Sequence, residues 1–167
     1  GDKLVRDAIA SGAAVTDLFV EDGFAWEAPE DARVHAVSRG VLESICDAKT
    51  PQRVAAVVRT PDTAPPETFP DGLIVVLDGV QDPGNVGAII RSADAFGASG
   101  VLLSHACADP FAQKTLRAAM GSTYHLPLWS CEPAEALDRL LMQGFAAVCG
   151  HLRGNETLPA LPQKLAL

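Results

Sequence analysis

LIVVLDGVQDPGNVGAIIRSADAFGASGVLLS, residues 73–104, is the stretch that decides the fold. Leu73 to Leu77 is a continuous apolar run without alternation, the pattern of a parallel strand covered on both faces. Asp78-Gly79 and Asp82-Pro83-Gly84 then build a tight loop. From Val86 to Phe96 the apolar residues Val86, Ile89, Ile90, Ala93 and Phe96 recur at helical spacing, so a helix starts near Asn85. Val101 to Ser104 is the next strand. Strand, loop, helix and strand in this order make a βαβ unit, whose crossover is right-handed.

The alternation continues downstream. Pro110–Met120 is a predicted helix, Leu126–Trp129 a strand, and Pro133–Gln143 a helix with its proline in the first turn. Ala146–Cys149 is a fourth strand, and Lys164–Leu167 reads as the opening of a fifth, so a doubly wound parallel sheet is expected, incomplete at its end. Upstream, TPDTAPPETFPDG (residues 60–72) lacks apolar periodicity and carries Pro61, Pro65, Pro66 and Pro70. Such proline density predicts an extended, semi-rigid spacer. Before it come a helix over Asp2–Ser11, stopped by Gly12, then strands at Asp17–Val20 and Val34–Val37. A helix bearing Val41, Leu42 and Ile45 with Ser38 as N-cap follows, then a strand at Val54–Val58. The expected organisation is a small, partial N-terminal α/β domain over residues 1–59, a linker over 60–72, and a Rossmann-like parallel-sheet domain over 73–167.

Composition sets the class. The 167 residues are 48% hydrophobic and 20% charged, with mean hydropathy +0.16, a balance that supports a packed core. No apolar run approaches the roughly 20 residues of a membrane span. Gly1-Asp2-Lys3 is neither a signal peptide nor an initiator methionine, and reads as a cut inside a longer product. Cys46, Cys107, Cys131 and Cys149 form no CxxC pair, which argues against zinc or a redox dithiol. Cys46 and Cys149 lie in apolar runs and read as buried free thiols, so a reducing, cytoplasmic setting is expected. The net charge of −8, from 13 Lys+Arg against 21 Asp+Glu, disfavours indiscriminate polyanion binding. A local basic cluster of Arg33, Arg39, Lys49, Arg53 and Arg59 leaves RNA binding open, because such clusters are as often solvated surface.

The loop between the first strand and helix of the βαβ unit lies where ligands of open α/β sheets gather, outside the carboxyl ends of strands. Gly84 and Gly87 remove side chains where backbone must approach something closely. The pattern is not GxGxxG, so no dinucleotide fingerprint is present. Two polar residues stand out. Arg91 lies off the apolar stripe, either as an exposed arginine paired with Asp94 three residues on or as a functional group. Asn85 is either a helix N-cap or a ligand-facing amide.

Residues 77–97 closely resemble motif 1 of the SpoU-type (TrmH-like) RNA ribose 2′-O-methyltransferases of the SPOUT superfamily, with Asn85 and Arg91 at the motif's asparagine and arginine. ADPFAQKTLRAAMGSTYHLPL (residues 108–128) is similar to the family's next block, whose lysine and arginine before a small-residue turn correspond to Lys114, Arg117 and Gly121. VLESICDAKTPQRVAAVV (residues 41–58) resembles the end of the family's N-terminal RNA-binding domain, related in fold to kink-turn-binding ribosomal proteins.

The resemblance implies methyl transfer from S-adenosylmethionine to a ribose 2′-hydroxyl of structured RNA, most often ribosomal, by a homodimer without metal or membrane. It implies that Arg91 helps activate the hydroxyl and that Asn85 fixes substrate or cofactor. A guanidinium with a pKa above about 12 is a poor general base, so orientation and charge stabilisation are the expected role. Lys114, Arg117 and Arg53 are candidate RNA contacts. Tyr124, His125 and Trp129 could stack on bases, with a core or sheet-edge role favoured. The family's two later motifs, which form its trefoil knot and most of its cofactor pocket, do not occur in these residues. Only the loop Cys149-Gly150-His151 is left to contribute backbone contacts to the adenosine, and the piece alone is expected to be inactive. His151 by itself lacks partners for a metal. Two other readings stay open: a non-catalytic RNA-binding module, and a small-molecule enzyme whose Gly84 and Gly87 cradle phosphate.

Overall fold

The computed structural model describes residues 1–48, 50–150 and 164–166. The chain divides into two compact units, Gly1–Pro61 and Asp62–Leu167.

In the first unit, helix α1 (Asp2–Ala10) precedes strands β1 (Val15–Glu21) and β2 (Arg33–Val37), helix α2 (Arg39–Ile45) and strand β3 (Val54–Val58). Gly12, at φ +76°, supplies the left-handed turn that ends the first helical segment. The sheet runs β2-β1-β3, with β1 parallel to β2 and antiparallel to β3. Val5 and Ala8 of α1 are buried, and Val5 packs with Leu18, Val20 and Val54. On β1 and β2, His35 and Arg33 both reach the Asp17 carboxylate at 2.9 Å. These two hydrogen bonds, His35 first, pull the Asp17 pKa down to about 2.

In the second unit, strands β4 (Leu73–Leu77), β5 (Gly100–Leu103), β6 (Leu128–Ser130), β7 (Ala146–Ala147) and β8 (Leu165–Ala166) form one parallel sheet in the order β6-β5-β4-β8-β7. Helix α3 (Pro83–Ala95) links β4 to β5, and helix α4 (Gln113–Ala119) with a 3-10 turn (Ser122–Tyr124) links β5 to β6. Helix α5 (Pro133–Met142) carries the chain from β6 back to β7. Two cores result. Leu77, Val86, Ile90, Ala93, Val101, Leu103 and Ala119 pack beneath α3 and α4. Phe69, Ile74, Leu102, Trp129, Ala136, Leu140 and Phe145 pack beneath α5. Right-handed crossovers in opposite directions along a sheet put their helices on opposite faces. β8 enters between β4 and β7, so the strand order reverses beside β4.

Several local expectations change. The stretch after Pro61 is no free spacer: Phe69 is 2% exposed and edge-on to Trp129, with ring centroids 5.3 Å apart. The Phe69 amide donates to Gln143 Oε1 at 2.9 Å, and Arg139 donates to the Pro66 carbonyl. Helix α3 begins at Pro83, two residues before Asn85, because Asp82 and not Asn85 is its cap. Helix α4 is shorter than Pro110–Met120, because the Asp109 carboxylate and carbonyl hold Phe111 N and Thr115 Oγ1 at 2.8 Å in a turn. Phe96 leaves the apolar stripe and is 83% exposed, since the chain turns at Gly97 (φ +70°). Among the thiols, Cys149 is exposed and Cys46 only half-buried, whereas Cys131 is the buried one.

Helices α3 and α4 touch through backbone. A β-carbon on Gly87 would lie 2.5 Å from the Thr115 carbonyl oxygen, 2.6 Å from Ala118 Cβ and 2.9 Å from the Ala119 nitrogen. At an open helical site Gly→Ala stabilises by about 1 kcal/mol. Here the sign reverses. Gly87→Ala is expected to destabilise the chain by about 2 kcal/mol, in the range for overpacking. Its thermal midpoint should fall by roughly 5 °C. A calorimetric scan in which the midpoint holds or rises would show that the helices are not pressed together there.

Candidate active site

The loop from Asp78 to Asp82 is clamped on the carboxyl end of the sheet. Gly79, at φ +65°, turns the chain and its amide donates to Ser104 Oγ at 2.9 Å. Cys107 Sγ donates to the Leu77 carbonyl at 3.3 Å, and Ala108 N donates to the Val80 carbonyl at 2.9 Å. These bonds tie the loops after β4 and β5 together and aim the start of α3.

Asp82 organises that start. Its Oδ1 accepts from Asn85 N at 2.9 Å, Pro83 occupies the first helical turn, and its Oδ2 pairs with Lys114 Nζ at 3.3 Å. The Asn85 amide and then the Lys114 ammonium hold this carboxyl below its usual pKa. The cap reading of Asn85 is therefore corrected: Asn85 supplies a backbone N–H to the cap, and its residue is exposed. Asp-Pro at a helix start was the signal for it. The same geometry removes the phosphate cradle. The helix N-terminus already holds a carboxylate, a β-carbon on Gly84 would lie 2.8 Å from Asp82 Oδ1, and Gly87 faces α4.

Arg91 stands on the exposed side of α3, roughly 9 Å along the axis from Asn85 at 1.5 Å per residue. The pairing with Asp94 does not form. Asp94 Oδ2 instead accepts from His125 Nδ1 at 2.9 Å. Burial works to raise the Asp94 pKa, but hydrogen bonds from Ser122 and His125 outweigh it and keep the carboxyl below its usual value. The Arg91 guanidinium reaches Met120, with Nη1 3.4 Å from Sδ. Met120 closes α4 in the left-handed conformation (φ 53°, ψ 35°). No sequence signal marked either contact, since methionine is an unusual residue for that conformation.

The other candidates are spread out. Arg117 is exposed in the last turn of α4, with Nη1 3.4 Å from Gln113 Oε1. Arg53 belongs to the first unit, where Nε lies 3.2 Å from Glu21 Oε2 and the guanidinium covers the Phe24 ring at 4.9 Å. Arg33 and Arg39 are likewise ion-paired within that unit, and Lys49 lies outside the described residues. Trp129 is core, 7% exposed, and Tyr124 is half-buried. Cys149 and Gly150 are exposed just past β7, and His151 lies outside the described residues. With one strand between β4 and β7, the loops after them leave the same sheet edge about 10 Å apart. Among the described residues no group of three or more His, Cys, Asp or Glu could hold a metal, and no helix is long and apolar enough to cross a membrane.

Comparison with known proteins places this arrangement. Residues 72–167 match the SpoU rRNA Methylase family. The chain is 31% identical over 167 residues to the 23S rRNA (guanosine(2553)-2′-O)-methyltransferase RlmP of Bacillus subtilis, covering 98% of this chain and 65% of that protein. It is 34% identical over 140 residues to the mitochondrial rRNA methyltransferase 3 of Xenopus laevis, covering 77% of this chain and 33% of that protein. The AdoMet-bound rRNA methyltransferase from Sinorhizobium meliloti superposes with a TM-score of 0.84 at 29% identity, over 99% of this chain and 67% of that one. The chain thus spans about two thirds of the length of the bacterial relatives and a third of the mitochondrial one. With a family match over its parallel-sheet unit and relatives along nearly its whole length, this chain belongs to the SpoU rRNA methylase family.

Proposed function

We propose that the protein carrying this chain transfers a methyl group from S-adenosylmethionine to a ribose 2′-hydroxyl of ribosomal RNA. The observation that carries the reading is Arg91: an exposed guanidinium whose nearest helical carboxylate is engaged elsewhere. Family membership supports the reaction class. S-adenosylmethionine supplies an electrophilic sulfonium methyl when bound. For its adenosine, Cys149 and Gly150 offer exposed, uncharged backbone at the carboxyl edge of the sheet. That suits a neutral base edge.

Arg91 acts on the acceptor. Its planar fork orients the 2′-oxygen and stabilises the negative charge that grows there as the proton leaves, with no need for a neutral guanidine. Asn85, exposed in the first turn of α3, presents an amide to the ribose or its phosphate. Arg117 and Lys114 contact RNA phosphate, Lys114 in competition with the Asp82 carboxylate. A homodimer in a cytoplasmic setting, with Arg53 near the RNA, completes the proposal.

A non-catalytic RNA-binding module of the same fold is the second reading, and one variant separates them. Arg91→Lys keeps the charge but loses the fork; turnover should fall at least about 100-fold, within the range for one lost transition-state donor. RNA affinity should change less than about twofold, since phosphate attraction is retained. Wild-type turnover in single-turnover assays of that variant would remove Arg91 from the chemistry.

The phosphate contacts are read by salt. Arg117→Ala and Lys114→Ala should each lower the slope of log K against log salt, by at most about one. Equal slopes for the wild type and Arg117→Ala would take Arg117 off the RNA.

A further inference from the structure

The corner joining α4 to β6, Met120 to His125, makes two separate contacts with the α3 face that carries Arg91. It takes Asp94 and it touches the arginine. We infer that this corner is a positioning device, which withdraws the carboxylate from Arg91 and sets a neutral sulfur against the guanidinium. The inference rests on the reading of Arg91 as the group that acts on the 2′-hydroxyl.

Backbone geometry is the first support. Among the described residues, Met120 is the sole non-glycine at positive φ, and Gly121 beside it is also left-handed (φ +101°). A second glycine would close the turn without strain. Core packing does not account for the methionine, since it is 54% exposed. Strain retained beneath an exposed side chain points to a task for that side chain. Its Sδ lies 3.4 Å from Arg91 Nη1. The corner is anchored, because Ser122 and Thr123 beneath it are 6% and 3% exposed.

Charge is the second support. Asp94 follows Arg91 by three residues on one helix, the spacing at which opposite charges pair. That pair would neutralise the guanidinium and occupy its N–H groups. His125 Nδ1 at 2.9 Å and the Ser122 hydroxyl hold the carboxylate instead. A thioether is a weak, uncharged acceptor. It fixes the plane of the guanidinium while leaving the charge and the remaining N–H groups for RNA.

The test uses the full-length protein, ribosomal RNA transcribed in vitro without modification, and tritiated S-adenosylmethionine. His125→Ala should lower kcat about tenfold, the scale of one misplaced charged hydrogen bond, with KM for RNA within about twofold. Adding Asp94→Asn to that variant should restore kcat, because the released side chain can no longer neutralise Arg91. His125→Gln, which keeps a donor for Asp94, should stay near wild type. Met120→Gly should lower kcat about tenfold while its thermal midpoint holds or rises, a split that a purely structural residue would not show. The inference is overturned if Asp94→Asn gives no rescue, or if Met120→Gly turns over like wild type. Should Arg91→Lys itself be fully active, the reading of Arg91 fails; should Arg91→Lys be dead while His125→Ala and Met120→Gly are normal, only the positioning role fails.

Discussion

The arrangement of the second unit depends on one close approach, where α3 lies against α4 without a side chain between them at Gly87. Any β-carbon there would meet backbone, which cannot yield as a flexible side chain can. The approach brings the end of α4 and the corner after it onto the outer face of α3. Without it, Lys114 would not reach Asp82, His125 would not reach Asp94, and Met120 would not reach Arg91. Glycine at this position serves helix packing, and through packing it arranges charge.

That arrangement separates two kinds of charge. In the second unit Asp82 is paired with Lys114 and Asp94 with His125; within the first unit, Asp17 and Glu21 pair with arginines of that unit. Arg91 meets a sulfur. A chain with net charge −8 can still engage a polyanion where nearby carboxylates are locally balanced and a guanidinium such as Arg91 is kept from them. The proposed specificity then comes from placement of single guanidinium groups, and not from a broad basic field.

The architecture was legible wherever burial sets the pattern. Leu73–Leu77 and Val54–Val58 read as strands to the residue, because an unbroken apolar run has few other places to go. The helix bearing Arg91 was readable from its stripe, although Phe96 continued the period in sequence and left it in space. Proline density around Pro65 and Pro66 suggested a spacer, yet Phe69 is driven into the core by its ring. The site was legible only through family resemblance. Asp82 could have been found from the Asp-Pro pair at the helix start. The Asp94–His125 bond joins residues 31 apart across two helices, and Met120 adopts a conformation its residue type does not favour. Local pattern carries no information about either.

The account stands on the guanidinium of Arg91 meeting the acceptor ribose. A structure of the full-length protein with the proposed ribosomal RNA substrate and S-adenosylhomocysteine measures that directly. An Arg91 N–H group is predicted at about 3 Å from the target 2′-oxygen or its adjoining phosphate, with Asp94 still bound to His125. An arginine folded back onto Asp94, or a target ribose too far away to accept a hydrogen bond from it, would contradict the account.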